Sequence, residues 1–320
     1  MRKITIVLLT LLTLNAGCRF SPNGRPDERS YKIATLNGPS SIGMIKMIDS
    51  LRNTYDSEVK IDILNEPMQV RKMMLEDEAE FAVLPTTMAA LLYNKGMDYI
   101  MIAVPVWGSL YLLGNDTTIN SWEALRGRRI NIMGRGMTPD ILFRYLLKKY
   151  NIEPDKDLLL DYGFPTHLEM ANAMAAGRAE IGVVSEPQAS LVLNKNKDVH
   201  LIFDLNKEWK KHEGFPMTQT ALLVKRSVLE ENPKLVKKVM MACEKSTLWV
   251  NSNHEAAAHL IVKYGILPDY QTAVNSIPRS NLSFSRASEI KEMVEKYLKL
   301  FYEIDPDIIG GKIPDEKFYY

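Results

Sequence analysis

Two short segments concentrate the side chains that could hold a ligand: Asn37-Gly38-Pro39-Ser40-Ser41 and Gly134-Arg135-Gly136-Met137-Thr138-Pro139. Each combines glycine, a hydroxyl suited to a helix N-cap, and the free N–H groups of a helix start. That combination suits an anion or an acceptor-rich polar group, and it also serves plain helix capping. Asn37, Ser40 and Ser41, with Arg135, Gly136 and Thr138, are therefore candidate binding residues, Arg135 adding a charged fork. A second pair of segments, Pro85-Thr86-Thr87 and Ser185-Glu186-Pro187, adds Thr86, Thr87 and Glu186. The Glu186 carboxylate suits an N–H or ammonium donor, or a cap on a helix beginning near Pro187. Trp107, between Pro105 and Gly108, offers either a stacking surface for a flat ligand or hinge packing; Thr218, with Thr220, stands at a second chain crossing.

Signatures of enzymes are not met. Gly134-Arg135-Gly136 is followed by Pro139 where a dinucleotide loop carries its third glycine, and no Gly-Lys-Ser/Thr ending is present. Gly38-Pro39-Ser40-Ser41-Ile42-Gly43 does not fit the Gly-x-Ser-x-Gly elbow of hydrolases. The histidines at 167, 200, 212, 254 and 259 are scattered, and the step from His254 to His259 points to different helix faces, so no metal is expected. The methionines fall at helical spacings or in pairs, such as Met44 and Met47 or Met73 and Met74, which reads as core filling. No cofactor is expected.

The elements that must position these loops alternate. Lys32 to Leu36, Val59 to Leu64 and Phe81 to Leu84 have strand character, and the helical patterns Ile42 to Tyr55, Met68 to Glu76 and Thr87 to Lys95 follow them in turn. Such βαβαβα order predicts a parallel sheet with helices on both faces, and ligands of open α/β sheets bind beyond the strands' carboxyl ends. Tyr99 to Pro105 and Ser109 to Leu113 read as a crossover punctuated by proline and glycine. The pattern then restarts with Arg129 to Met133, Ile141 to Lys149, Leu158 to Tyr162, His167 to Ala176, Ile181 to Val184 and Gln188 to Leu193.

A shift of one hundred residues lays 66–95 over 166–195 with eight identities, among them Met74 with Met174, Ala79-Glu80 with Ala179-Glu180, and Asn94-Lys95 with Asn194-Lys195. Two similar α/β lobes are expected from this, although two amphipathic βα units share the same periodicity constraint. After Thr220 to Lys225 the patterns from Pro233 to Tyr302 are helical, with no strand expected, so the chain should return to cover the first lobe. Crossings near Pro105 to Gly114 and Trp209 to Thr218 would form a hinge.

The N-terminus indicates compartment. Met1-Arg2-Lys3 followed by an apolar run from Ile4 to Leu14 reads as a secretory signal, too short for the ~20 residues of a membrane span. Leu14-Asn15-Ala16-Gly17-Cys18 resembles a bacterial lipobox, with Asn15 where an apolar residue is usual, so Cys18 is the expected lipidation site. Residues 19–29, polar with Pro22, Gly24 and Pro26, read as a tether. Lipidation leaves Cys243, within a helical pattern, as a small core residue. Forty Lys and Arg balance 39 Asp and Glu with no basic stripe, which excludes a nucleic-acid footprint.

Read together, these loops resemble those of the nitrate, sulfonate, taurine and thiamine-pyrimidine group of bacterial solute-binding proteins. The carriers include Asn37-Gly38-Pro39-Ser40, Ala82-Val83-Leu84-Pro85-Thr86, Ser121-Trp122-Glu123-Ala124-Leu125-Arg126-Gly127, Gly177-Arg178-Ala179-Glu180, Glu186-Pro187-Gln188-Ala189 and Ile309-Gly310-Gly311-Lys312-Ile313-Pro314-Asp315. The resemblance implies a two-lobed periplasmic-binding-protein fold of type II, with two doubly wound sheets joined by a two-strand hinge. It implies signal peptide 1–17, lipid-anchored tether 18–30, lobe 1 over 31–105 and 219–320, and lobe 2 over 106–218. It further implies an exported, non-enzymatic protein, held to the membrane by its lipid alone, that passes a small polar organic solute to an ABC permease with a cytoplasmic ATPase. A ligand-sensing or partner-binding module with the same clamp is the alternative. A neighbouring branch holds a thiamine-pyrimidine synthase with a cysteine-rich loop, which this chain lacks.

Overall fold

The computed structural model describes residues 30–54 and 57–320; the expected signal peptide, Cys18 and the tether as far as residue 29 lie outside the described residues. The first unit runs β1 (Tyr31–Leu36), α1 (Pro39–Gly43), α2 (Ile45–Arg52), β2 (Val59–Leu64), α3 (Pro67–Leu75), β3 (Phe81–Pro85), α4 (Thr86–Asn94) and β4 (Tyr99–Trp107). The second runs β5 (Leu110–Gly114), β6 (Arg129–Asn131), α5 (Thr138–Lys149), β7 (Leu159–Asp161), α6 (His167–Ala175), β8 (Ile181–Ser185), α7 (Gln188–Lys195), β9 (His200–Asp204) and α8 (Leu205–Glu213). The chain then returns through β10 (Thr218–Lys225), α9 (Arg226–Glu231), α10 (Pro233–Ser252), α11 (His254–Lys263), α12 (Tyr270–Arg279), β11 (Leu282–Arg286) and α13 (Ala287–Ile304).

Two mixed sheets result. The six-stranded sheet has the order β11-β4-β10-β3-β1-β2 and the five-stranded sheet β7-β6-β8-β5-β9. In each, the strand after the crossing, β10 or β5, runs antiparallel to its neighbours β3 or β8. Reversing the second list superposes the orders: β7, β6, β8, β5, β9 answer to β2, β1, β3, β10, β4. The hundred-residue shift therefore relates α3 to α6 and β3 to β8 by the same residue numbers plus one hundred.

Strand composition explains why both sheet faces are covered. In β10, Ala221 and Leu223 enter the core shared with α4, α5 and α13, while Leu222 and Val224 enter the opposite core with α1, α2, α10 and α11. Such a continuous apolar run has no face to show to water. A third, smaller core packs α6 and α7 on the second sheet. Cys243 lies in the second of these cores against Met47, and burial pushes its thiol up to about 12, so it is unreactive.

Three expectations need correction. A strand, β11, does follow residue 225: Leu282-Ser283-Phe284-Ser285-Arg286 alternates apolar and polar and adds to the edge of the first sheet beside β4. The crossing expected from Trp209 is helical as far as Glu213, because Asp204 accepts from the N–H groups of Asn206 and Lys207 and starts α8. Pro105 does not end its strand, since β4 passes through to Trp107 with register shifts against both partners there, where a missing N–H is tolerated.

The two crossings lie side by side. Gly108 N–H donates to the Met217 carbonyl at 2.9 Å, and Trp107 N–H to the Asn281 carbonyl at 3.1 Å. A Cβ on Gly108 would come within 2.4 Å of Asn206 Oδ1, so only glycine allows this approach.

Candidate ligand-binding cavity

Where the strand ends of the two sheets face each other, a cavity of about 840 Å³ opens. Its wall takes residues from the first turns of six helices: Ser40 of α1, Pro67 of α3, Thr87 of α4, Thr138 of α5, His167 of α6 and Gln188 of α7. Helix starts carry unpaired N–H groups and the positive end of the helix dipole, so they favour an acceptor-rich group. The helix α6 is closed by its own box, with Thr166 accepting from Glu169 N–H and Glu169 from Thr166 N–H. By contrast, α4 and α5 have no side-chain cap. Their hydroxyls meet across the cavity, Thr87 Oγ1 lying 3.0 Å from Thr138 Oγ1.

Of the residues singled out from sequence, Asn37, Ser40, Thr87, Gly136, Thr138 and Glu186 form part of this wall. Asn37 donates its amide to Asn65 at 3.0 Å and keeps a buried side-chain oxygen without a partner among the described residues. Ser41, Thr86, Trp107, Arg135 and Thr218 are placed elsewhere. Ser41 closes the start of α1, accepting from Gly38 N–H and donating to Gly38 O. Trp107 donates its indole N–H to the Ser283 carbonyl at 2.7 Å and packs at the crossing. Arg135 is exposed, its guanidinium 4.3 Å from the Tyr162 ring centre. Thr86 and Thr218 are buried, each with a hydroxyl that has no partner among the described residues.

Neither Ser40 nor Thr138 is an N-cap. Gly38 and Met137 hold those positions, and Thr138 turns to Thr87 instead. At φ +138°, Gly38 also brings the two loops together: a Cβ there would stand 3.2 Å from Pro187 Cδ.

The carboxylate of Glu186 already has its charged donor. Arg279 Nε, from α12, lies 2.8 Å from Oε1, and Ser190 donates its hydroxyl at 2.9 Å. Arg279 also donates to Ser190 Oγ at 2.7 Å. Burial raises the Glu186 pKa, opposed by Arg279 and the Ser190 bonds. Glu186 is thus paired within the protein, and Arg135 is not among the wall residues. The helix α12 reaches across to α7 a second time, Asn194 donating to Thr272 Oγ1 at 2.9 Å.

Sequence reasoning missed His167, Gln219, Lys195 and Tyr297, which all line the cavity. His167 is half-buried on the cavity wall and faces Ser185 Oγ at 3.4 Å. The packed atoms around it push its pKa down to about 4, so it is neutral at pH 7. Among the described residues no cluster of three or more His, Cys, Asp or Glu is placed to hold a metal ion, and no helix is long and apolar enough to cross a membrane.

Comparison with known proteins decides the family. The profile of the phosphonate periplasmic substrate-binding proteins of ABC transporters matches residues 43–266. The chain belongs to this family. The structure of an ABC transporter protein from Parabacteroides distasonis superposes with a TM-score of 0.79 at 26% identity, over 91% of this chain and 99% of that one. The periplasmic aliphatic sulphonate binding protein SsuA from Escherichia coli shares the fold, with a TM-score of 0.73 at 15% identity over 91% of this chain and 94% of its own. The binding protein YtlA of Bacillus subtilis is 29% identical over 149 residues. That match spans 47% of this chain and 42% of YtlA, so the chain covers less than half of this relative's length. The family is one of periplasmic substrate-binding proteins of ABC transporters, transport proteins and not enzymes, and the fold is the two-lobed one that the resemblance implied.

Proposed function

We propose that the chain is the extracytoplasmic binding component of an ABC importer. It captures one small polar organic solute, of the pyrimidine, sulfonate or a related class, between the two sheets. It then passes the solute to a permease driven by a cytoplasmic ATPase. A lipid on Cys18 holds it at the outer face of a membrane, and residues 19–29 give it reach. The observation that carries this reading is the cavity of about 840 Å³ whose wall includes the uncapped starts of α4 and α5, one from each sheet. That volume lies within the range of small-molecule sites, and it exceeds what a bare inorganic anion fills. The sulphonate-binding neighbour supports an oxyanion-bearing organic cargo by likeness of fold.

The test is a thermal-shift panel of pyrimidines, flavins, sulfonates, phosphonates, amino acids and inorganic anions. A solute at about 100 times its Kd stabilises the native state by ~2.7 kcal/mol, which raises Tm by roughly 5 °C in a domain of this size. Hits confined to one organic class support the reading. A flat response to every class counts against a solute-binding role.

A further inference from the structure

The cavity has two unlike ends. Met217, just before β10, and Ala221 and Leu223 within it share the core on which α4 and α13 pack, and Gln219 between them lines the cavity. On this side the wall is made by Met88 and Leu91 of α4, Leu142 of α5, Met217, Tyr297 of α13 and Ile308. Leu91 stands in the second turn of α4, so the space runs past the helix start and away from the strand ends. It is a side chamber, apolar except for Asp307, beside Ile308, and two uncharged groups.

The first is the Tyr297 hydroxyl. Tyr297 is fully buried, and its oxygen has no hydrogen-bond partner among the described residues. Its ring is fixed from behind, at 5.6 Å between centres from Trp209 and 4.9 Å from Phe301. Buried hydroxyls in native proteins are nearly always paired, so an unpaired one at a cavity wall calls for a partner from within the cavity. Burial also raises its pKa, which keeps the phenol protonated and able to donate. The second group is Gln219. Its side-chain oxygen accepts from both the N–H and the hydroxyl of Ser109, which leaves the amide NH2 as the group it can offer.

We propose that this chamber takes an uncharged, ring-sized organic body of the solute, and that Tyr297 and Gln219 are specificity-determining residues reading a hydrogen-bonding substituent on that body. The acceptor-rich head of the same solute sits at the starts of α4 and α5. The proposal rests on the solute-binding reading above and names the class of solute: an oxyanion carrying a polar-substituted ring.

Calorimetry of the full chain in lipid nanodiscs, with methanesulfonate, benzenesulfonate and 4-hydroxybenzenesulfonate as matched probes, tests it. The ring should tighten binding by about tenfold over the methyl compound, and the ring hydroxyl by a further ~5-fold. Tyr297→Phe should bring the hydroxylated probe down to the level of benzenesulfonate without lowering Tm, since the hydroxyl removed has no partner among the described residues. Leu91→Trp, which fills the chamber, should bring benzenesulfonate down to the level of methanesulfonate. Equal binding of methyl and ring probes, or a ring preference that survives Leu91→Trp, overturns the chamber. Silence from all three probes in a chain that another solute stabilises overturns the class proposed here and leaves the solute-binding reading standing; only a chain that no solute stabilises removes both.

Discussion

Thr87 and Thr138 join the two sheets hydroxyl to hydroxyl at 3.0 Å, each in the first turn of a helix that has no side-chain cap. Two uncapped helix starts thus point at one spot, and the pair that meets there can also turn to a bound acceptor. Thr87→Val and Thr138→Val should each change stability by no more than ~1 kcal/mol, because a single neutral hydrogen bond is lost. Solute affinity should fall by about tenfold in each, read by calorimetry. Equal affinity in all three proteins would move the head of the solute elsewhere.

The buried pair Glu186 and Arg279 predicts a sharper effect on folding. Arg279→Met leaves the Glu186 carboxylate, whose side chain is 0% exposed, without its cation. Removing one partner of a buried pair costs about 3–5 kcal/mol, whereas replacing both costs much less. Chemical denaturation of Arg279→Met, Glu186→Gln and the double variant should therefore show the double variant recovering most of the loss. Strict additivity would show that the two side chains are not coupled.

His167 sets a pH dependence whose sign follows from its shift. With a folded pKa of about 4 against 6.5 unfolded, the unfolded chain takes up the proton first as pH falls. Stability is full above about pH 6.5 and is lost progressively down to about pH 4. The partial exposure of His167 lessens the effect, so its size is on the order of 1–3 kcal/mol. His167→Gln should flatten Tm across this window; an unchanged slope would assign the pH dependence to other groups.

At the crossing, Gly108→Ala would drive a methyl group into Asn206, whose Oδ1 accepts from Met217 N–H at 3.0 Å. Overpacking of this kind costs about 1–3 kcal/mol. A lowered Tm that Gly108→Ala combined with Asn206→Gly partly restores would assign the cost to this contact, and an unchanged Tm would show that the crossing yields.

Much of this arrangement was legible in the sequence, and what was missed follows from physics. Strand-and-helix alternation and the hundred-residue repeat located α3, β3 and α4 and their counterparts α6, β8 and α7, because those segments keep one periodicity over their whole length. The strand β11 escaped because its two serines and short length give little apolar signal, and β4 gives it pairing that no local pattern encodes. Topology alone pointed to some of the strand-end residues on the cavity wall, such as Ser40, Thr87 and Thr138, and also to Ser41, Thr86 and Arg135, which are not on it. It did not point to Arg279 or Tyr297, since each reaches its place from a helix far downstream in sequence, Arg279 lying 93 residues after Glu186 and Tyr297 following the whole of the second sheet. One signal for Tyr297 was present: it falls on the buried stripe of α13 with Val294, Leu298 and Phe301, and a polar-tipped aromatic in such a stripe needs a partner.

The central claim is one small-solute site between the sheets, and calorimetry of the solute giving the largest thermal shift tests it most directly, on the unmodified chain and on Thr138→Trp. One solute per chain, with binding abolished when the tryptophan fills the space opposite Thr87, is the result expected. Binding that persists unchanged in Thr138→Trp would contradict it.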